Sequence, residues 1–141
     1  MIKTVLALDY GTKNIGVAVG QCLTATAQEL PPVKARDGVP DWHEIENLLG
    51  EWQPEVVVVG LPLNMDGSES ELATQARKFS KRIHGRFGVN VKLMDERLST
   101  FEAKQEATAR GHKGNYGKNP IDSIAARLIL ESWFNTYEAL S

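Results

Sequence analysis

Residues 6–20 read LALDYGTKNIGVAVG, from Leu6 to Gly20. An apolar run from Val5 to Leu8 ends on the carboxylate of Asp9, and a second apolar run, Ile15 to Val19, follows a short polar stretch. The spacing predicts a buried strand, a tight glycine turn and a second strand returning alongside the first. Asp9 would then stand at the rim of a sheet. Tyr10-Gly11-Thr12-Lys13-Asn14 supplies flexible backbone, a hydroxyl and an ammonium, groups suited to holding a phosphate. A plain hairpin, with Asp9 and Asn14 merely bonding turn amides, fits the same residues. The rest of the chain has to decide between the two.

A chain of 141 residues predicts one domain spanning 1–141, large enough to bury a core without staples. Its composition, 42% hydrophobic and 24% charged, is that of a globular protein. The single cysteine, Cys22, excludes an intrachain disulfide and fits a reducing compartment. Lys3, Asp9 and Lys13 interrupt the first apolar runs, which makes a poor signal peptide, and no stretch has the length of a membrane span. The expectation is a cytoplasmic protein with no membrane partner.

The net charge of −2 hides a split. From Arg77 to Lys118 there are eleven Lys and Arg against four Asp and Glu, while the remainder has five against fourteen. One basic segment in an acidic chain suits a polyanion, although a solvated helix face gives the same count.

Leu23 to Leu30 is expected to form a third strand, and Pro31-Pro32 with the polar run Lys34 to Pro40 a connection. Asp41 is a predicted N-cap for a helix from Trp42 to Trp52 that gathers Ile45, Leu48, Leu49 and Trp52 on one face. Val56-Val57-Val58-Val59 reads as a strand covered on both faces, followed by a loop from Leu61 to Ser68 at its carboxyl end. A helix from Glu71 to Phe87, stopped by Gly88, carries Arg77, Lys78, Lys81, Arg82 and Arg86 along one side. Val89 to Met94 is the next strand. Ser99 and Glu102 form a capping box for a helix to Arg110, and Asn119-Pro120 open a last helix to about Leu140. Three antiparallel strands followed by alternating helices and strands predict an α/β fold with a mixed sheet.

Asp9 ends the first strand, Glu96 follows the last, and Asp122 falls in the first turn of the final helix. Each has a plain explanation: Asp122 suits the helix dipole, and an ion pair with Arg97 or Lys92 would account for Glu96. If the three meet, they repel, by about 4 kcal/mol for a pair about 4 Å apart at an effective dielectric of about 20. Protonation or a divalent cation would have to relieve this. An all-oxygen set suits Mg²⁺ or Mn²⁺, and His43, His84 and His112 have no metal-ligand spacing. Carboxylates with such an ion beside basic residues describe phosphodiester hydrolysis. Lys13, Arg97, Lys113 and Lys118 are the expected phosphate grips, with Arg77, Lys81 and Arg82 extending the track if their helix face lies on the same side.

Four blocks, LALDYGTKNIGVAVG at 6–20, VVGLPLNMDGS at 58–68, DERLST at 95–100 and IDSIAARLILESWF at 121–134, carry a resemblance. Over nearly its whole length the chain resembles the YqgF family of ribonuclease-H-like proteins, described as Holliday junction resolvases and pre-16S rRNA processing nucleases. The resemblance implies a mixed five-stranded sheet with flanking helices. It also implies a catalytic and metal-binding set of Asp9, Glu96 and Asp122, supported by Gly11, Thr12, Asn64, Ser99 and Thr100. The expected partner is nucleic acid, either an rRNA precursor, with the ribosome as a further partner, or branched DNA. A symmetric resolvase calls for a dimer, whereas a processing nuclease works as a monomer. Two other classes stay open: an ATP-binding module, since the turn at Asp9 also resembles the phosphate loop of the actin and hexokinase fold, and a non-catalytic ribosome-associated module.

Overall fold

The computed structural model describes residues 3–61, 66, 68, 70–95 and 121–140, with side chains in the last segment for 123–135. The strands are β1 (Thr4–Asp9), β2 (Asn14–Gln21), β3 (Thr26–Arg36), β4 (Val39–Pro40), β5 (Val56–Leu61) and β6 (Asn90–Asp95). The helices are α1 (Trp42–Trp52), α2 (Glu71–Phe87) and α3 (Ile121–Leu140). The strand order is β4-β3-β2-β1-β5-β6. β1 to β4 pair antiparallel in sequence, and β1, β5 and β6 run parallel. This is the predicted mixed sheet, with the two-residue β4 added to the five strands expected.

Helix boundaries follow from their caps. The Asp41 side chain accepts from the His43 amide at 2.9 Å, and Gln53 closes α1 in the left-handed region at φ 46°. Ser70 accepts from the Ala73 amide, and Gly88 closes α2 at φ 69°. Both helices lie on one face of the sheet, where Ile45 of α1 and Ala76, Phe79 and Ile83 of α2 pack on Leu6, Leu8, Val17, Val57 and Val59. α3 lies on the other, with Ala126, Ile129, Leu130 and Phe134 against Val5, Ala7, Ala18, Val56 and Val58. The predicted helix after Ser99 and its cap lie outside the described residues.

The third strand departs from expectation at both ends. Residues 22–25 form the tip of the β2–β3 hairpin, with Ala25 at φ 52° and Leu23 88% exposed. The strand then runs through Pro31-Pro32 instead of stopping there. Val17 pairs with Leu30 and Ile15 with Val33, so two prolines oppose Gly16 in a bulge, where a missing N–H is tolerated. Beyond it the supposed connection is a hairpin. Arg36 pairs with Val39 across Asp37 and Gly38, whose φ values of 51° and 83° are those of a two-residue type I′ turn.

α3 approaches the sheet closely over Gly20. A Cβ there would meet Phe134 Cζ at 2.6 Å, the Thr26 carbonyl oxygen at 2.8 Å and Leu130 Cδ2 at 2.9 Å. Since one of these is backbone, the clash cannot relax by side-chain rotation alone. Gly20→Ala is expected to destabilise the protein by about 1–3 kcal/mol, read as a lowered midpoint of chemical denaturation.

Candidate functional site

The carboxyl ends of β1, β5 and β6 share one rim. Leu8 pairs with Val59 and Val59 with Leu93, so Asp9 lies one residue beyond the last β1–β5 pair, level with Gly60 and Met94. Asp9 and β6 are two strands apart, about 10 Å. Side chains alternate along each strand. Val5 and Ala7 face α3, which directs the partly buried Asp9 to that side. Asp95 is in register with Leu61, a residue of the α2-side core, so it faces away from Asp9. Glu96 lies outside the described residues.

Asp122 is the second residue of α3, and its side chain is not among those described. What places this end of the helix is its neighbour Ser123, which is fully buried. Its hydroxyl donates to the Leu30 carbonyl at 2.5 Å and accepts from the Val17 amide at 3.4 Å. Val17 follows Gly16, the β2 partner of Asp9. The start of α3 is thus pinned beside the bulge, on the same face as Asp9. Ser123 lies inside the block at 121–134 but was not singled out there; its own signal was a hydroxyl amid the apolar residues Ile121, Ile124 and Ala125.

Residues 10–14, expected to be flexible, are held by three hydrogen bonds to the β3–β4 hairpin. The Tyr10 hydroxyl donates to the Gly38 carbonyl at 2.7 Å. The Gly38 amide donates to the Thr12 carbonyl at 2.9 Å, and the Ala35 amide to the Lys13 carbonyl at 2.8 Å. A Cβ on Gly11 would run into the Asn14 carbonyl oxygen, so the loop closes as tightly as it does because residue 11 is glycine. The side chains of Thr12 and Lys13 remain exposed.

The cations of α2 do not form one track. Arg77 and Lys81, with Ser80 and His84, line a cavity of about 390 Å³ against β6. Arg82 acts on Tyr10 from the other flank of the helix. Arg86 lies 4.3 Å over the Trp42 ring, a cation–π contact that accounts for it. All belong to the face opposite α3. Asp66 accepts from the amide and hydroxyl of Ser68, at 2.9 and 2.6 Å, in a local turn. Asn64, Arg97, Ser99, Thr100, Lys113 and Lys118 lie outside the described residues. Among the described residues no three His, Cys, Asp or Glu side chains gather as a metal site.

A family model described as "RuvX: Holliday junction resolvase" matches residues 3–136. The chain belongs to the RuvX family. Relatives of this RuvX chain from Saccharophagus degradans and Histophilus somni are 60% and 61% identical to it, over 96% and 95% of its length and 95% of theirs. One from Escherichia coli O157:H7 is 60% identical over 95% of this chain and 97% of its own. All three carry the name "Putative pre-16S rRNA nuclease". Among solved structures, Thermus thermophilus RuvC bound to a Holliday junction substrate superposes with a TM-score of 0.60 at 20% identity, over 96% of both chains. The fowlpox virus resolvase bound to Holliday junction DNA gives 0.53 at 14% identity, over 97% of this chain and 99% of that one. At such identities the likeness is one of fold, and it agrees with the architecture implied by the four sequence blocks.

Burial raises the Tyr10 phenol above its ordinary value, the Arg82 guanidinium opposing the shift more weakly. The folded protein therefore holds this proton more tightly than the unfolded chain. The resulting stabilisation is complete below about pH 10 and is lost as pH rises through the folded value. Tyr10→Phe should flatten the alkaline fall in unfolding free energy, measured by denaturant titrations from about pH 7 to about pH 11. At neutral pH it should cost about 1 kcal/mol for the lost bond to Gly38.

Proposed function

We propose that this RuvX chain hydrolyses phosphodiester bonds in the precursor of 16S rRNA, trimming its 5′ end in the cytoplasm as a monomer. The observation that carries the reading is the near-full-length identity of 60–61% to relatives named for that activity. The geometry supports it: a carboxylate at the rim of the sheet, a clamped loop presenting Thr12 and Lys13 beside it, and the start of α3 pinned to the same face. The ribosome is the setting in which such a substrate is met.

Asp9, Glu96 and Asp122 are the proposed catalytic carboxylates. Glu96 is proposed in preference to Asp95 because Asp95 stands on the α2 side of β6, away from Asp9. The donors fit a hard cation, Mg²⁺ or Mn²⁺: they are carboxylate oxygens, and no His or Cys ends β1, β5 or β6. When bound, such an ion would supply the Lewis acidity that makes water nucleophilic at neutral pH and offsets charge on the leaving oxygen. The chain's own part is to hold the carboxylates in place and to bind the strand. Lys13, Arg97, Lys113 and Lys118 grip phosphates beside the site, while Gly11, Thr12, Asn64, Ser99 and Thr100 shape its loops.

The family description favours a second reading, cleavage of a Holliday junction by a homodimer. Incubating purified protein with precursor 16S rRNA and with a four-way DNA junction, with and without Mg²⁺ or Mn²⁺, separates the two. Cleavage of the RNA alone supports the first reading, and cleavage of the junction alone overturns it. Cleavage of neither rejects both in favour of a non-catalytic module. Asp9→Asn and Glu96→Gln should each fold normally and lose about 10²-fold or more in rate, whereas Asp95→Asn should keep wild-type cleavage. Full activity in a folded Asp9→Asn protein would remove Asp9 from the chemistry.

A further inference from the structure

The strongest basic segment by count, residues 77–118, directed attention to α2, yet the described α2 cations sit across the sheet from Asp9. The face that Asp9 occupies carries cations of its own, from the acidic part of the chain. Val33 and Ala35 of β3 pack into the α1–α2 core. Alternation therefore turns Lys34 and Arg36 to the α3 side, and both are exposed. Lys34 lies opposite Asn14, at the rim end of β2. Arg36 opens the tight Asp37–Gly38 turn that Tyr10 and Thr12 hold. The Ala35 amide, between the two cations, holds the Lys13 carbonyl, so the Lys13 backbone runs alongside them.

No carboxylate among the described residues forms an ion pair with Lys34 or Arg36. The acid that precedes them on that face of β3, Glu29, is held by Arg127 at 2.8 Å. Asp37, the next acid in sequence, is taken up in the left-handed turn. From Asp9 the path crosses two strand spacings and advances two residues toward the rim, a backbone separation of about 12 Å. A nucleic-acid strand spans that distance in a few nucleotides.

We infer that Lys34 and Arg36, together with Lys13, form the track that binds the phosphodiester backbone of the substrate strand leading to Asp9. The inference rests on the nuclease reading for its occupant and adds two residues that neither charge counting nor motif matching selects. Charge complementarity supports it, and so does rigidity: the cations stand on backbone pinned by three hydrogen bonds, which limits the entropy lost when the strand binds.

The test compares wild type with Lys34→Ala/Arg36→Ala. Affinity for a 5′ fragment of precursor 16S rRNA and for a four-way DNA junction is measured across a salt series without divalent cation. Each neutralised phosphate contributes about −0.7 to the slope of log affinity on log salt for single strands and about −0.9 for duplex DNA. The double variant should flatten the slope by about one to two units and weaken different sequences alike. Lys34→Arg/Arg36→Lys, which keeps the charge, should keep the slope. A folded double alanine variant with the wild-type slope overturns the track. Wild-type cleavage measured in parallel with Mg²⁺ separates the failures. If wild type cleaves and the slope is unchanged, the track alone falls. If wild type binds but never cleaves, the nuclease reading falls and the slope still decides the track. If wild type binds neither nucleic acid, both fall.

Discussion

The alternation of β1 between two buried faces governs the whole rim. Leu6, Leu8 and Tyr10 enter the α1–α2 side, while Val5 and Ala7 enter the α3 side and leave Asp9 there. Slipping the register by one residue would exchange the sets. Leu6 and Leu8 are fully buried, each worth about 1.5–3 kcal/mol relative to exposure, and the α3 side is lined by Ala7, Ala18 and Gly20, which leave no room for them. The size difference between the two faces therefore fixes where the carboxylate points. The placement of Asp9 at the rim and the packing of Leu8 in the core are met by one register.

The loop that follows shows how such a site is kept in shape. Tyr10 reaches across to Gly38, packs on Phe79 with ring centroids 4.9 Å apart, and anchors the first residue after Asp9 in the core. The same hairpin returns bonds to the carbonyls of Thr12 and Lys13. On the other face Ser123 ties α3 to β2 and β3 at the proline bulge. Both anchors converge on the pair Asp9–Gly16 and its neighbours, and neither uses a group that the chemistry would consume. Asp9, Thr12 and Lys13 are exposed or half-buried, but the backbone beneath them is held in place.

Helices with a cap and an amphipathic stripe were legible in the sequence almost to the residue, because both signals are local: Asp41 and Gln53-Pro54 bound α1, and Gly88 closes α2. The sheet order was legible as a class, from Val56–Val59 and the helix alternation. β3 was not. Pro31-Pro32 reads as a break because proline cannot join a ladder, and only pairing with β2 reveals that it occupies a bulge where no bond is needed. The turn dipeptide Asp37–Gly38 was in view, but its flanks, Ala35-Arg36 and Val39-Pro40, are too short to announce strands. For the site, Asp9 was visible as a carboxylate ending an apolar run. Ser123 was not, since a buried hydroxyl is identified by its partners, here the Leu30 carbonyl and the Val17 amide, which lie 93 and 106 residues away.

Charge along a chain and charge on a surface are different quantities, and this fold separates them by geometry. On α2, residues 77 and 81 share one flank and 82 and 86 the other, because a helix advances about 100° per residue, 3.6 to the turn. Four cations close in sequence, Arg77, Lys81, Arg82 and Arg86, thus divide between a cavity at β6, Tyr10 and the Trp42 ring. On β3 the period is two, so Lys34 and Arg36 share a face, with Ala35 between them turned into the core. Two cations on the face of a carboxylate site generate a more directed field for a phosphate strand than a larger number distributed around a helix, since the screening length at physiological salt, about 8 Å, is shorter than the path from α2 around the sheet. The parity of β3, set by Val33 and Ala35 filling the core, decides which charges share a face with Asp9.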